Sequence, residues 1–226
     1  MARSIESDRP GSLPSLYAIT PQWSLDRLVP ELRNLITSSN TIVQVRDKAL
    51  TDETRMKRAQ AIVEICQETD TICIINDRAD IAAEAGASGV HIGAADGSVA
   101  QARSYIEDGL VGVTCRSAAD ARQAESEGAD YLGVGPVYPT ISKADLPDPI
   151  GVQKLAEIAG SVELPVFAIG GMTPERSAEI IGVGIHGVAA ISALFTGEVP
   201  AAARAALFEQ AMGVSDETLG SPEWTS

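Results

Sequence analysis

The side chains in this sequence that could do chemistry stand where apolar runs end. Thr140, Ser142 and Lys143 follow the run Tyr131–Val137 and offer two hydroxyls and an ammonium, a set that suits an anionic group such as a phosphate. Gln44, Arg46 and Lys48 close TIVQVRDK at period-two spacing, which puts all three on one side of an extended chain. Asn76 and Asp77 end TICIIND, Asp96 follows GVHIG, and Thr114 ends LVGVTC. Gly170 and Gly171 end PVFAIGG, and Ile191 and Ser192 end GVAAIS. Asp77 and Asp96 are hard oxygen donors that suit Mg²⁺, with phosphate oxygens completing its shell. No Ser/His/Asp or Cys/His arrangement is present for nucleophilic catalysis. Of the two histidines, His91 sits between Val90 and Ile92 inside an apolar run and reads as a hydrogen-bonded core residue.

These residues need a scaffold that brings strand ends together. Eight short apolar runs begin near Leu16, Thr41, Thr71, Gly89, Leu110, Tyr131, Pro165 and Gly187. Most are nearly continuous, which implies strands buried on both faces, as parallel strands are. Helical segments alternate with them. Leu25, Leu28, Leu32 and Leu35 recur at helical spacing, with Pro30 predicting a kink or a late start. Ser117 reads as an N-cap, and Thr173-Pro174 as N-cap and N1. Eight β-α units in little over 200 residues predict a single-domain α/β TIM (β/α)8 barrel over residues 14–212. Residues 1–13 and 213–226 read as flexible tails. An open doubly wound sheet would carry a Gly-rich turn after its first strand, and LYAIT is followed by PQWSLD. Gly182–Gly187 fits G-x-G-x-x-G but leads from a helix into a strand, the reverse of the dinucleotide-binding order.

With 226 residues, 45% of them hydrophobic, the chain can bury a substantial core. Its formal net charge of -14 disfavours nucleic acid or an anionic membrane as partner, and leaves small anionic substrates open. Cys66, Cys73 and Cys115 form no metal or disulfide pattern and lie in apolar segments, so inert buried thiols are expected. With no signal-like N-terminus and no apolar run of membrane-spanning length, a cytoplasmic protein is the expectation. Oligomeric state is left open.

VQVRDK, INDRAD, GVHIG-x-x-D, GADYLGVGPVYPTISK and AIGGM, in this order, resemble the thiamine-phosphate synthases over Leu16 to about Phe195. The resemblance implies a TIM barrel that joins an aminopyrimidine methyl diphosphate to a thiazole phosphate, with Mg²⁺ as cofactor. It implies that Gln44, Val45, Arg46, Asp47, Lys48, Asn76, Thr114 and Lys143 meet the pyrimidine diphosphate. Asp77 and Asp96 would hold Mg²⁺. Thr140, Ile141, Ser142, Gly171, Ile191 and Ser192 would meet the thiazole phosphate. Lys143, Arg46 and Lys48 would stabilise charge on the leaving diphosphate. Ala94 stands where the family commonly has Gln, and Ser142 and Thr114 keep hydroxyls at two further variable positions. The alternatives are a thiazole tautomerase-like isomerase, which as a family uses a rim histidine near strands five and six, where this chain has Arg116 and Pro136, and a non-catalytic thiazole-phosphate-binding barrel.

Overall fold

A computed structural model describes residues 13–47, 50–93, 96–140 and 148–213. Its strands are β1 (Leu16–Ile19), β2 (Thr41–Val45), β3 (Cys73–Asn76), β4 (Gly89–Ile92), β5 (Leu110–Cys115), β6 (Tyr131–Val134), β7 (Val166–Ile169) and β8 (Gly187–Ala190). They close in chain order into one parallel barrel, β8 pairing back onto β1. The predicted (β/α)8 barrel is the observed fold. The expected terminal tails lie outside the described residues except at Leu13 and Gly213. Leu13 is buried in the inner core, and its carbonyl accepts from His186 Nε2 at 2.7 Å, at the end of the barrel opposite the mouth.

Period-two alternation sorts each strand between two apolar layers. Leu16, Ala18, Val43, Val45, Cys73, Ile75 and Val90 face the surrounding helices. Tyr17, Ile42, Ile74, Leu110, Tyr131 and Phe167 fill the barrel. Tyr17, Tyr131 and Phe167 meet at ring-centroid distances of 5.4–5.8 Å, two of the three contacts edge-on, which is favourable aromatic packing. Glycine makes that packing possible: Gly112 pairs with Tyr131, and a Cβ at Gly112 would lie 2.1 Å from the tyrosine Cζ.

The outer ring comprises α1 (Leu25–Ser38), α2 (Asp52–Glu68), α3 (Ala79–Ala85), α4 (Val99–Arg103), α5 (Ala118–Ser126), α6 (Gly151–Ala159), α7 (Pro174–Ile180), α8 (Ser192–Phe195) and α9 (Ala201–Ala211). Ser117 and Thr173 cap as expected, accepting from Asp120 N and Arg176 N, and Pro174 stands in the first helical turn. Pro30 neither delays nor ends α1, which starts at Leu25 and buries Leu28, Leu32, Leu35 and Ile36. Apolar packing of that face outweighs the one amide bond proline removes. Strand β6 stops at Val134, before Gly135-Pro136, rather than running to Val137 as the apolar pattern suggested. The short α8 directly after β8 was not read from the sequence. The G-x-G-x-x-G stretch forms a 3-10 turn, Ile181–Val183, leading into β8.

Gly112→Ala should therefore destabilise the fold, because the methyl group must displace a buried ring. Overpacking of this kind costs about 1–3 kcal/mol. A Tm fall of about 2–12 °C is expected, and an unchanged Tm in thermal unfolding would contradict the packing described.

Candidate active site

Two cavities open side by side at the C-terminal end of the strands. The smaller, about 40 Å³, lies over the barrel axis and is edged by Gln44, Arg46, Asn76, His91 and Thr114. The larger, about 170 Å³, lies over β5 to β8 and is edged by Thr114, Arg116, Thr140, Gly171, Ile191 and Ser192. Thr114, Ile169, Ala189 and Ile191 line both, so the two are adjoining compartments of one site.

The axial compartment follows from the pleat of β2. Gln44 points inward, almost wholly buried, and its Nε2 donates to Tyr17 OH at 3.0 Å. Arg46, two residues on, lines the same cavity. Burial lowers the Arg46 guanidinium from its ordinary pKa, with the Asp77 and Asp47 charges opposing. Its Nε is buried without a hydrogen-bond partner among the described residues. A half-buried guanidinium with an unused donor suits an anionic ligand. Val45 and Asp47, on the odd side of the pleat, turn away. Val45 packs against the helices. Asp47 Oδ2 lies 2.5 Å from Arg58 Nε of α2, with both side chains nearly sealed from solvent. Arg58 also donates to the carbonyls of Trp23 and Pro21. Of the expected span 44–48, the side chains of Gln44 and Arg46 thus face the mouth, while those of Val45 and Asp47 serve the outer core. Lys48 lies outside the described residues, as do Ala94, Ile141, Ser142 and Lys143.

Asp77 and Asp96 follow neighbouring strands. The Asp77 N–H donates to the His91 carbonyl at 2.8 Å, extending the β3–β4 ladder by one bond. Asp77 then takes φ +67°, and the Arg78 N–H closes a tight turn onto the Asn76 carbonyl at 2.9 Å. A non-glycine residue in that region is uncommon and recurs at functional sites. Asp96 is pinned to the end of β4, where its Oδ2 accepts from the Gly93 N–H at 3.0 Å and its own N–H donates to the Gly93 carbonyl. Among the described residues no three His, Cys, Asp or Glu side chains gather as a metal cluster. Neither Asp77 nor Asp96 lines either cavity; Mg²⁺ is commonly held by one or two carboxylates together with substrate phosphates.

The larger compartment owes its shape to backbone. Gly171 has φ +66°, and a Cβ there would lie 2.6 Å from the Pro139 carbonyl oxygen, so the loops after β6 and β7 pack closer than any side chain allows. Arg116 enters the same wall. One of its terminal nitrogens donates to the Asp148 carbonyl at 2.7 Å, and its Nε is buried without a hydrogen-bond partner among the described residues. Sequence reasoning missed Arg116 as a site residue, although it stands two residues beyond Thr114 and so belongs to the same face. Cys66, Cys73 and Cys115 are buried free thiols. Burial pushes Cys115 up to about 12, which keeps it a neutral thiol.

The class defined by fold and site is a β/α barrel with a two-compartment, cation-edged mouth. The family model for thiamine monophosphate synthase matches residues 16–194. The thiamine-phosphate synthase of Methanoculleus marisnigri is 43% identical over 193 residues, covering 84% of this chain and 92% of that protein. That of Salinispora tropica is 42% identical, covering 77% of this chain and 85% of its own. A bifunctional thiamine biosynthesis protein of Symbiobacterium thermophilum is 38% identical over 79% of this chain, which spans 38% of that longer protein. The solved structure of a thiamine phosphate pyrophosphorylase from Pyrococcus furiosus superposes with a TM-score of 0.79 at 29% identity, over 88% of this chain and 95% of that one. The chain belongs to the thiamine monophosphate synthase family.

The Asp47–Arg58 pair yields a stability prediction. Asp47→Ala leaves Arg58 charged and buried with only its carbonyl partners, and should cost about 3 kcal/mol. Denaturant unfolding would measure this; a loss below about 1 kcal/mol would mean that Asp47 is not the structural anchor described.

Proposed function

We propose that this protein is a thiamine-phosphate synthase acting on small molecules in the cytoplasm. It couples 4-amino-2-methyl-5-(diphosphooxymethyl)pyrimidine with 4-methyl-5-(2-phosphooxyethyl)thiazole, giving thiamine phosphate and diphosphate. The observation that carries the reading is the pair of adjoining compartments meeting at Thr114, which suits a reaction that joins two substrates. Family membership over residues 16–194 supports the same reaction.

The residue types suit a dissociative substitution. Diphosphate leaves from a methylene that the electron-rich aminopyrimidine stabilises as a cation, and the thiazole nitrogen then attacks that carbon. The C–O bond to diphosphate breaks and a C–N bond forms. No proton transfer or protein nucleophile is required, in keeping with a mouth that has no reactive thiol. The axial compartment takes the pyrimidine diphosphate, with Gln44, Asn76 and Thr114 orienting it and Arg46 stabilising the departing charge. In this reading Lys48 and Lys143 add their charges to the same task. The thiazole phosphate occupies the larger compartment against Thr140, Gly171, Ile191 and Ser192, as the loops after strands seven and eight commonly bind phosphate in this fold. Arg116 adds a cation there. Asp77 and Asp96 would hold Mg²⁺, which when bound neutralises charge on the leaving diphosphate. Holding the two substrates in line contributes the rest.

The test is incubation of the pure protein with both substrates and Mg²⁺, read by mass spectrometry. Thiamine phosphate should form and should vanish with EDTA; a folded protein that makes none would refute the reading. Asp77→Asn should raise the Mg²⁺ needed for half-maximal activity roughly tenfold, as loss of a metal ligand or its support does. An unchanged Mg²⁺ titration would remove Asp77 from the metal site. Lys143→Ala should lower kcat far more than it weakens thiazole phosphate binding, and equal turnover in mutant and parent would exclude the leaving-group role.

A further inference from the structure

A chain of hydrogen bonds crosses the barrel beneath the mouth. Gln44 Nε2 donates to Tyr17 OH at 3.0 Å. Tyr17 OH and Tyr131 OH are 2.8 Å apart. Tyr131 OH lies 3.3 Å from His91 Nδ1, and His91 Nε2 lies 2.8 Å from Thr114 Oγ1. Both tyrosines and Gln44 are almost wholly buried. The chain links β2, β1, β6, β4 and β5; its ends, Gln44 and Thr114, line the axial compartment, as do Tyr17 and His91 between them, while Tyr131 does not. The reaction described above uses the two ends and leaves the three middle residues without a task.

The chain has a direction. The Gln44 amide donates to Tyr17, and of the two directions open to the tyrosine pair, Tyr17 to Tyr131 is the one that gives the buried Tyr17 proton an acceptor. The Tyr131 oxygen then accepts, and its own proton is directed to His91 Nδ1. A neutral imidazole that accepts at Nδ1 carries its proton on Nε2. That Nε2–H donates to Thr114 Oγ1, which leaves the threonine proton to point away from the chain. Burial raises both tyrosines well above the ordinary phenol range, so they remain O–H donors at any working pH. The room for the chain is also built in: a Cβ at Gly133 would lie 3.0 Å from His91 Cε1, and one at Gly112 would overlap Tyr131.

We propose that His91 is a positioning residue, held as its Nε2–H tautomer by Tyr17 and Tyr131, which sets Thr114 as a hydroxyl donor aimed at the substrate where the two compartments meet. The Thr114 rotor, otherwise free to accept or donate, is thereby committed before substrate arrives. Its partner is an acceptor atom of the bound substrate, either a pyrimidine ring nitrogen or a diphosphate oxygen. Only the kinetic part of this proposal rests on the coupling reaction above.

The tautomer can be read directly on the free full-length protein. With two histidines in the chain, long-range 1H–15N correlation spectra at mildly alkaline pH are assigned by one substitution at His186. His91 should show a protonated Nε2 and a bare Nδ1. Tyr131→Phe, which keeps the ring and removes the hydroxyl, should let the Nδ1–H form appear while the protein still unfolds cooperatively. In the coupling assay Tyr131→Phe should lower kcat by roughly tenfold with KM little changed, the order of effect seen for outer partners of a site residue. Thr114→Val should lower kcat by at least as much, and the double variant should be no slower than Thr114→Val alone, because both changes act through one hydroxyl. A Nδ1–H tautomer in the parent, a tautomer indifferent to Tyr131→Phe, or additive rate losses would overturn the proposal. The spectra decide the network without substrate, so failure of the coupling reaction and failure of this proposal give different results.

Discussion

The structure depends on one constraint: a closed parallel barrel buries both faces of every strand. Inward positions must be apolar, or must find a polar partner inside, or must stand near enough to the strand end to reach the mouth. Tyr17, Tyr131 and His91 meet the second condition by bonding to one another. Gln44 and Thr114 meet the second and third together, each with one bond inward and a place in the cavity wall. Asp47 lies on the other side of the pleat, and Arg58 pairs with its charge among the helices. The distribution of polar groups is thus a consequence of closure, and the site is where closure leaves polar groups with unused capacity.

The two halves of the mouth use different physics. On the β2–β5 side, guanidinium and amide side chains converge from strands whose opposite faces carry the outer core. On the β6–β8 side, glycines allow loops to close down, and backbone takes the place of side chains. In a protein with net charge -14 the mouth is nonetheless edged by two cations among the described residues, Arg46 and Arg116, an arrangement that suits anionic ligands. Partial burial strengthens the interactions of those charges by lowering the local dielectric.

Much of this was legible in the residues. Strand order and closure follow from eight apolar runs alternating with helices, and rim residues Gln44, Arg46, Asn76, Thr114, Thr140, Gly171, Ile191 and Ser192 do line the mouth. Asp77 and Asp96 follow the expected strands, with a positive φ at Asp77 that no pattern announces. The rest was hidden for physical reasons. The hydrogen-bond chain joins residues 17, 44, 91, 114 and 131, and such separations are set only by barrel register. His91 reads as a satisfied core histidine, and it is one, yet its partner is a site residue. Arg116 follows the strand as an ordinary polar residue, and only the cavity reveals its place. Pro30 does not delay the start of α1, because tertiary packing overrides the local backbone cost. Apolar continuity overran the end of β6 because Val137 is buried in a loop, not in a strand.

The central claim is that each compartment receives one substrate and that Thr114 stands between them. A crystal structure with thiamine phosphate, diphosphate and Mg²⁺ bound tests it most directly. The thiazole phosphate should lie against Gly171 and Ser192, diphosphate beside Arg46 and Asn76, and the Thr114 hydroxyl within hydrogen-bond distance of the ligand. Diphosphate in the Gly171–Ser192 compartment, or a ligand that leaves the axial compartment empty, would contradict it.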